Sequence, residues 1–309
     1  MPVKGVTHPA MVDVADQMDR FVRAYIPVAG YDAARPDSPS EAERQANLPR
    51  SVMPDVDESV LCYARRSVMW RTFAGLDCFE GLASCIRNVT SVLAVYPMAR
   101  TAMEGFAAAA WLLEPDIGTE LRAHRGILDY RESLTAPIHT LRMRAKSSDH
   151  YDPEAPASYA SHLRRYENEL KFLQRDLKAV RRLLPDATSL QHPGLTRLVD
   201  DSLTDATEPG VGVGAYSHLC EIVHPGADST KRLVNSGSTR DFLNVNLSWW
   251  VTPLLATGWL MEHCLTRRAA YYGLPSPELH LQPVLDALYA ASSLPSDTLL
   301  LVPPLDTRL

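Results

Sequence analysis

Three side chains suited to acid-base or metal chemistry recur at intervals of three, His218, Glu221 and His224, in the pattern H-x-x-E-x-x-H, with Tyr216 just before and Asp228 just after. On a helix each step of three falls about 60° short of a full turn, so the triplet fans over about a third of the circumference. Zinc enzymes that grip a metal with two histidines from one helix use i,i+4 spacing, which keeps both on one face. The six-residue step from His218 to His224 therefore argues against a metal held within a straight helix, and no metal or cofactor is expected. Besides a metal reached by His224 swinging at the helix end, two chemistries remain. One is a satisfied polar cluster, with His224 bonding backbone at a helix end and Glu221 paired to an arginine. The other is an acid-base role for His218 or His224.

A second pair of charges, Arg100 and Glu104, is spaced i,i+4 and so stacks on one helix face. It interrupts PMARTAMEGFAAAAWLLEP (Pro97 to Pro115), which is apolar on almost every side. A helix of that kind is a membrane span or the centre of a bundle, and this one is too short for a bilayer. A buried central helix is expected, opened by Pro97 as its first residue. Charges inside it must be paired, which predicts a polar knot of Arg100 and Glu104, with Arg65, Arg66 or Arg71 as a further partner for the carboxylate.

The elements that would position these groups read as helices throughout, an all-α multi-helix bundle. His8 to Ile26 carries Met11, Val14, Ala15, Met18, Phe21, Val22 and Tyr25 at helical spacing. A linker, GYDAARPDSPS, leads to a capping-box pattern at Ser40 and Glu43; Asp55 with Glu58 predicts the start of a long helix to about Asn88. Gly75 and Gly81 within it are read as close helix contacts. After a polar connection around EPGVGVG come a helix over Ala215 to His224, a long one capped by Ser238 and Asp241 that runs to Tyr272, and a last one opened by Ser276-Pro277-Glu278. The three alternating glycines match neither a Walker loop nor a dinucleotide fingerprint. No charge occurs between Asp241 and Glu262, but Asn244, Asn246, Pro253 and Gly258 lower that run below a membrane span, and a buried helix kinked at Pro253 is expected.

The clearest periodicity lies in Leu163, Tyr166, Leu170, Leu173, Leu177, Val180 and Leu184, a strict alternation of threes and fours that predicts a coiled-coil-like seam. Its partner is a preceding helix over Thr119 to Lys146, kinked at Pro137. Together they make a long antiparallel helical hairpin with a polar tip, SSDHYDPEAPA. The organisation expected is 1–54 as N-terminal helix and linker, 55–116 with 190–291 as core bundle, 117–186 as hairpin arm and 292–309 as extended tail.

Charge divides unevenly. The 309 residues carry a net charge of -6, which excludes an overall basic footprint, yet Arg122 to Arg182 holds thirteen Lys/Arg against eight Asp/Glu. Arg164, Arg165, Lys171, Arg175, Lys178, Arg181 and Arg182 share one limb, so nucleic acid is a weaker partner class to set beside a homo-oligomer or a protein partner bound through the arm. Five cysteines in no C-x-x-C pair read as reduced core thiols, and the first twenty residues have no apolar run of signal type. A cytoplasmic protein is expected.

The helix A-R-T-A-M-E-x-x-A-A-A-A-W (Ala99 to Trp111) combined with Y-S-H-L-C-E-I-V-H-P (Tyr216 to Pro225) resembles a largely uncharacterised family of all-helical bacterial proteins of actinobacterial type. Its members show an R-x-x-x-E central helix and a Y-x-x-L-S-x-x-x-H segment. The resemblance implies shared positions at Arg100, Glu104, Tyr216 and His224, with Cys220 where the pattern has serine, and supplies a fold without an activity. The function expected is a non-catalytic interaction or scaffold protein with a structural Arg/Glu/His cluster. The alternatives are an RNA-acting enzyme or toxin comparable to the helical HEPN ribonucleases, using His224 or His218 with Arg100, or a metal or small-ligand pocket at the same cluster. The HEPN pattern itself has only a nominal match, Arg144 to His150.

Overall fold

The computed structural model describes residues 8–29, 34–88, 94–147, 155–184, 191–206, five positions within 214–220 (214, 216, 217, 219 and 220), 243–295 and 299–302. The architecture is an all-α multi-helix bundle, with one short pair of strands. The helices are α1 (Pro9–Ala29), α2 (Pro39–Arg44), α3 (Cys62–Asn88), α4 (Val95–Leu112), α5 (Thr119–Ser133), α6 (Thr135–Ser147), α7 (Ala155–Arg181), α8 (Leu195–Ala206), α9 (Ser248–Tyr272) and α10 (Glu278–Ser292). The chain divides into two compact units: 1–39, 70–113 and 194–309 form the first, 40–69 and 114–193 the second.

In the first unit α4 is the centre. Ala107, Ala108, Ala109 and Ala110 are all fully buried, and four consecutive positions cover every side of a helix. Helices α8 and α9 pack on α4, and α10 packs on both α1 and α9. The predicted stripe of α1, from Met11 to Tyr25, is buried at all seven positions. Close approach to α4 is bought by glycine: a Cβ on Gly105 would stand 2.7 Å from the Arg71 carbonyl oxygen, and one on Gly75 would stand 2.7 Å from the Phe106 ring. Gly75 is thus a contact point, as its sequence position suggested. Helix α9 ends at Gly273, whose φ of 67° is the left-handed conformation that closes a helix with least strain in glycine.

The second unit has its own core. Leu173 and Val180 of α7 are buried, with Leu163, Tyr166, Leu170, Leu177 and Leu184 packed partly buried against the same cluster, which includes Ala123 and Ile127 of α5, Ile138 of α6, and Val56, Val60 and Leu61. The alternation of threes and fours therefore marks the inward face of α7, which packs on α5 and α6.

Several boundaries differ from expectation. The long helix begins at Cys62, not at Asp55, because residues 49–60 fold back on themselves: Ser51 N–H donates to the Glu58 carbonyl (3.0 Å) and Val60 N–H to that of Pro49 (2.9 Å). Glu58, read as a capping partner, instead faces Arg66 at 3.7 Å. The single kinked helix over 119–146 is two helices parted at Leu134, just before the Pro137 ring would crowd the Ser133 carbonyl. Helix α4 starts at Val95, so Pro97 lies in the first turn, where its missing N–H still costs nothing. Helix α2 starts at Pro39, which places Ser40 inside the helix and not at its cap. Helix α9 starts at Ser248, and Leu243–Asn246 is a strand (β1) paired antiparallel with Leu299–Val302 (β2), Leu243 opposite Val302. Helix α9 runs through Pro253, and one turn later the buried Thr257 Oγ1 is satisfied by donating to the Pro253 carbonyl at 2.7 Å. Among the described residues no helix is long and apolar enough to cross a membrane.

Candidate functional site

Arg100 and Glu104 lie one turn apart on α4, and the predicted ion pair is made within the helix. Arg100 Nε donates to Glu104 Oε1 at 2.8 Å. Tyr216, 3% exposed, donates its hydroxyl to the same oxygen at 2.5 Å, and the Arg100 guanidinium carbon lies 5.5 Å from the centre of the Tyr216 ring. The three side chains thus close a triangle of ion pair, hydrogen bond and cation–π contact. With the Arg100 and Glu104 side chains 25% and 18% exposed, the triangle sits at the rim of the core, neither sealed nor in bulk water.

Burial works against the Arg100 charge, but the hydrogen bond to Glu104 and the carboxylate's own charge outweigh it and raise its pKa. Burial, followed by the same carboxylate, lifts the Tyr216 phenol well above its usual range. At neutral pH the arrangement is a protonated phenol and a guanidinium held on one carboxylate oxygen. Neither donor is a base, and Glu104 Oε1 is already taken by both.

Of the other predicted site residues, His218, Glu221 and His224 lie outside the described residues, as do Asp228 and His150. The glycine-rich run before 214 and most of the hairpin tip also lie outside them. Arg71, offered as a partner for Glu104, meets this region through its carbonyl against Gly105. Among the described residues no group of His, Cys, Asp and Glu is gathered closely enough to hold a metal ion. All five cysteines are free; burial pushes the Cys62 thiol up to about 11 and that of Cys264 up to about 12, which keeps both protonated and poorly nucleophilic.

Sequence reasoning missed a second polar cluster, in the second unit. Asp176 of α7 is 1% exposed and accepts from Ser51 Oγ (2.8 Å), Tyr63 Oη (2.9 Å) and Val52 N–H (3.0 Å). The signal was present: Asp176 stands three residues after Leu173 and four before Val180, on the buried stripe itself. Elsewhere in the second unit, His124 is fully buried with neither ring nitrogen hydrogen-bonded.

His124 and His263 share a consequence. Burial, then neighbouring arginines, lowers the pKa of each to about 4. Unfolding returns them to about 6.5, so the unfolded chain binds more protons between these values. The stability they contribute is present above about pH 6.5 and is lost as pH falls toward 4. Melting temperature is expected to drop between pH 7 and pH 5, and His124→Leu with His263→Leu to flatten that slope; an unchanged slope counts against it.

No protein-family model matches the chain, and no curated protein and no solved structure matches it.

Proposed function

We propose that the protein is a non-catalytic interaction or scaffold protein of the cytoplasm, related to the all-helical bacterial proteins it resembles, and that it meets a partner or a second copy of itself through the hairpin of α5, α6 and α7. The Arg100–Glu104–Tyr216 triangle is structural in this reading. The observation that carries it is that Glu104 Oε1 accepts from both Arg100 and Tyr216, so the three side chains hold one another in place across two separate stretches of the chain. Five free thiols suit a reducing compartment.

A structural triangle has a measurable signature. Glu104→Ala leaves a buried phenol and a half-buried guanidinium without their acceptor and is expected to cost about 2 kcal/mol; Tyr216→Phe, which removes one donor, about 1 kcal/mol. The double variant is expected to lose less than the sum, because both changes remove the same bond. All five tryptophans belong to the first unit, so their emission during urea unfolding reads this directly. A catalytic carboxylate held under strain would give the reverse, a gain in stability on substitution, and that outcome removes the structural reading.

A further inference from the structure

The outer face of α7 carries a line of charge with no carboxylate partner among the described residues. Arg164, Lys171, Arg175 and Lys178, continued by Arg182 just past the helix end, are spaced seven, four, three and four residues apart, and all are exposed. At about 100° per residue these positions fall within about 60° of one another and opposite the buried stripe of Leu173 and Val180, in a row about 27 Å long at 1.5 Å per residue. Lys171 donates to the neutral Asn168 (3.3 Å) and Arg175 lies over the Phe172 ring, but none of the five has a carboxylate partner among the described residues. Elsewhere exposed cations without a carboxylate partner among the described residues, such as Arg20 and Arg35, stand singly and not in a row. Arg23, Arg44, Arg50, Arg66, Arg142 and Arg197 are also exposed, and each faces an aspartate or glutamate. In a protein with 37 acidic and 31 basic residues, an uncompensated row of five cations stands apart from its surroundings.

We propose that this row is a docking surface for the phosphate backbone of duplex DNA, bound without regard to sequence. The inference rests on the reading of the hairpin as an interaction element and names its partner. The chemistry of the face selects among polyanions. Along this row the one exposed large apolar side chain among the described residues is Leu183, at its very end, so an acidic protein helix would meet it chiefly through surface ion pairs, worth about 0–1 kcal/mol each. A bilayer would need an apolar face to insert, and the apolar face of α7 is already buried. A single strand would need exposed aromatic rings for its bases to stack on. A phosphate backbone needs none of these, because released counterions drive its binding. B-form DNA offers a major groove about 12 Å wide that admits a helix of about 10–12 Å, whereas the A-form groove of duplex RNA is closed to side chains.

The test uses the full chain and a fluorescent 20-base-pair DNA duplex, read by anisotropy. Five phosphate contacts give a log–log salt slope of about −4.5, that is, a loss of about 500-fold in affinity between 50 and 200 mM salt. Substituting Arg164→Gln, Lys171→Gln, Arg175→Gln, Lys178→Gln and Arg182→Gln together is expected to abolish that slope and binding with it, with circular dichroism and melting temperature unchanged since glutamine is as good a helix former. A variant of equal charge loss at paired arginines, Arg23→Gln, Arg50→Gln, Arg66→Gln, Arg142→Gln and Arg197→Gln, is expected to keep the slope. Absence of binding at 50 mM salt overturns the proposal. So does an equal loss in the paired-arginine variant, tighter binding to a single strand or to duplex RNA, or stripe-dependent capture by phosphatidylserine vesicles in place of DNA. Failure on any of these counts leaves the unfolding result at Glu104 and Tyr216 standing, so the two readings fail separately.

Discussion

Replacing Asp176 with alanine is expected to cost about 4 kcal/mol, the largest effect of any single substitution of a polar side chain in the second unit. The carboxylate is 1% exposed and no cation pairs with it among the described residues. It is kept soluble in the core by three neutral donors: Ser51 Oγ and Tyr63 Oη on one oxygen, and Val52 N–H on the other. Alanine removes the acceptor of all three at once. The two hydroxyls, 2.7 Å apart, can turn to each other. The Val52 N–H has no such recourse, and it belongs to the folded-back segment whose Val56 and Val60 complete the core. Asp176→Asn keeps the shape and one acceptor oxygen but turns an amide N–H₂ toward a donor, and about half the loss is expected to remain. Because the tryptophans lie in the first unit, far-UV circular dichroism in urea should shift to lower concentration while tryptophan emission shifts less. Equal shifts of both signals, or none, would count against this account.

The same cluster explains what the chain does and does not disclose by itself. Helical spacing reports burial directly, so the stripe of α1 and the inward face of α7 were legible, as was the all-round burial of α4. The Arg100–Glu104 pair was legible too, because its partners are four residues apart. Its third member was legible only as a resemblance: Tyr216 lies 112 positions from Glu104, and no local pattern predicts that contact. The start of α3 was misread for the same reason. Asp55 and Glu58 have the spacing of a helix cap, but the segment is folded back by Asp176, which is 125 positions from Ser51. A charged residue spaced with Leu173 and Val180 was the one local hint, since a carboxylate on a buried stripe must bring donors to it. The strand Leu243–Asn246 was overlooked inside a predicted helix; its L-N-V-N alternation has the period of two that a strand requires.

Gly126→Ala is expected to destabilise the second unit by about 3 kcal/mol, although alanine is the better helix former by about 1 kcal/mol. The sign is decided by what the new methyl would meet. A Cβ at Gly126 would lie 2.3 Å from the Ala64 nitrogen, 2.5 Å from its Cα and 2.7 Å from its Cβ. Backbone cannot rotate aside as a side chain can, so α5 and the first turn of α3 must separate, opening the packing of Ala123 and Ile127 against Leu61 and Ala64. Gly81→Ala is the matched control. There the added methyl meets the Met98 sulfur at 3.1 Å and its terminal methyl at 3.4 Å, the far end of a flexible side chain that can give way. The helix-propensity gain then dominates, and Gly81→Ala is expected to leave stability unchanged or raised by up to about 1 kcal/mol. Urea unfolding of the two variants side by side separates the mechanisms: loss at Gly126 with gain at Gly81 assigns close backbone contact to the first alone, whereas equal behaviour at both would show that α5 yields to the methyl and that the contact at Ala64 is not what holds it.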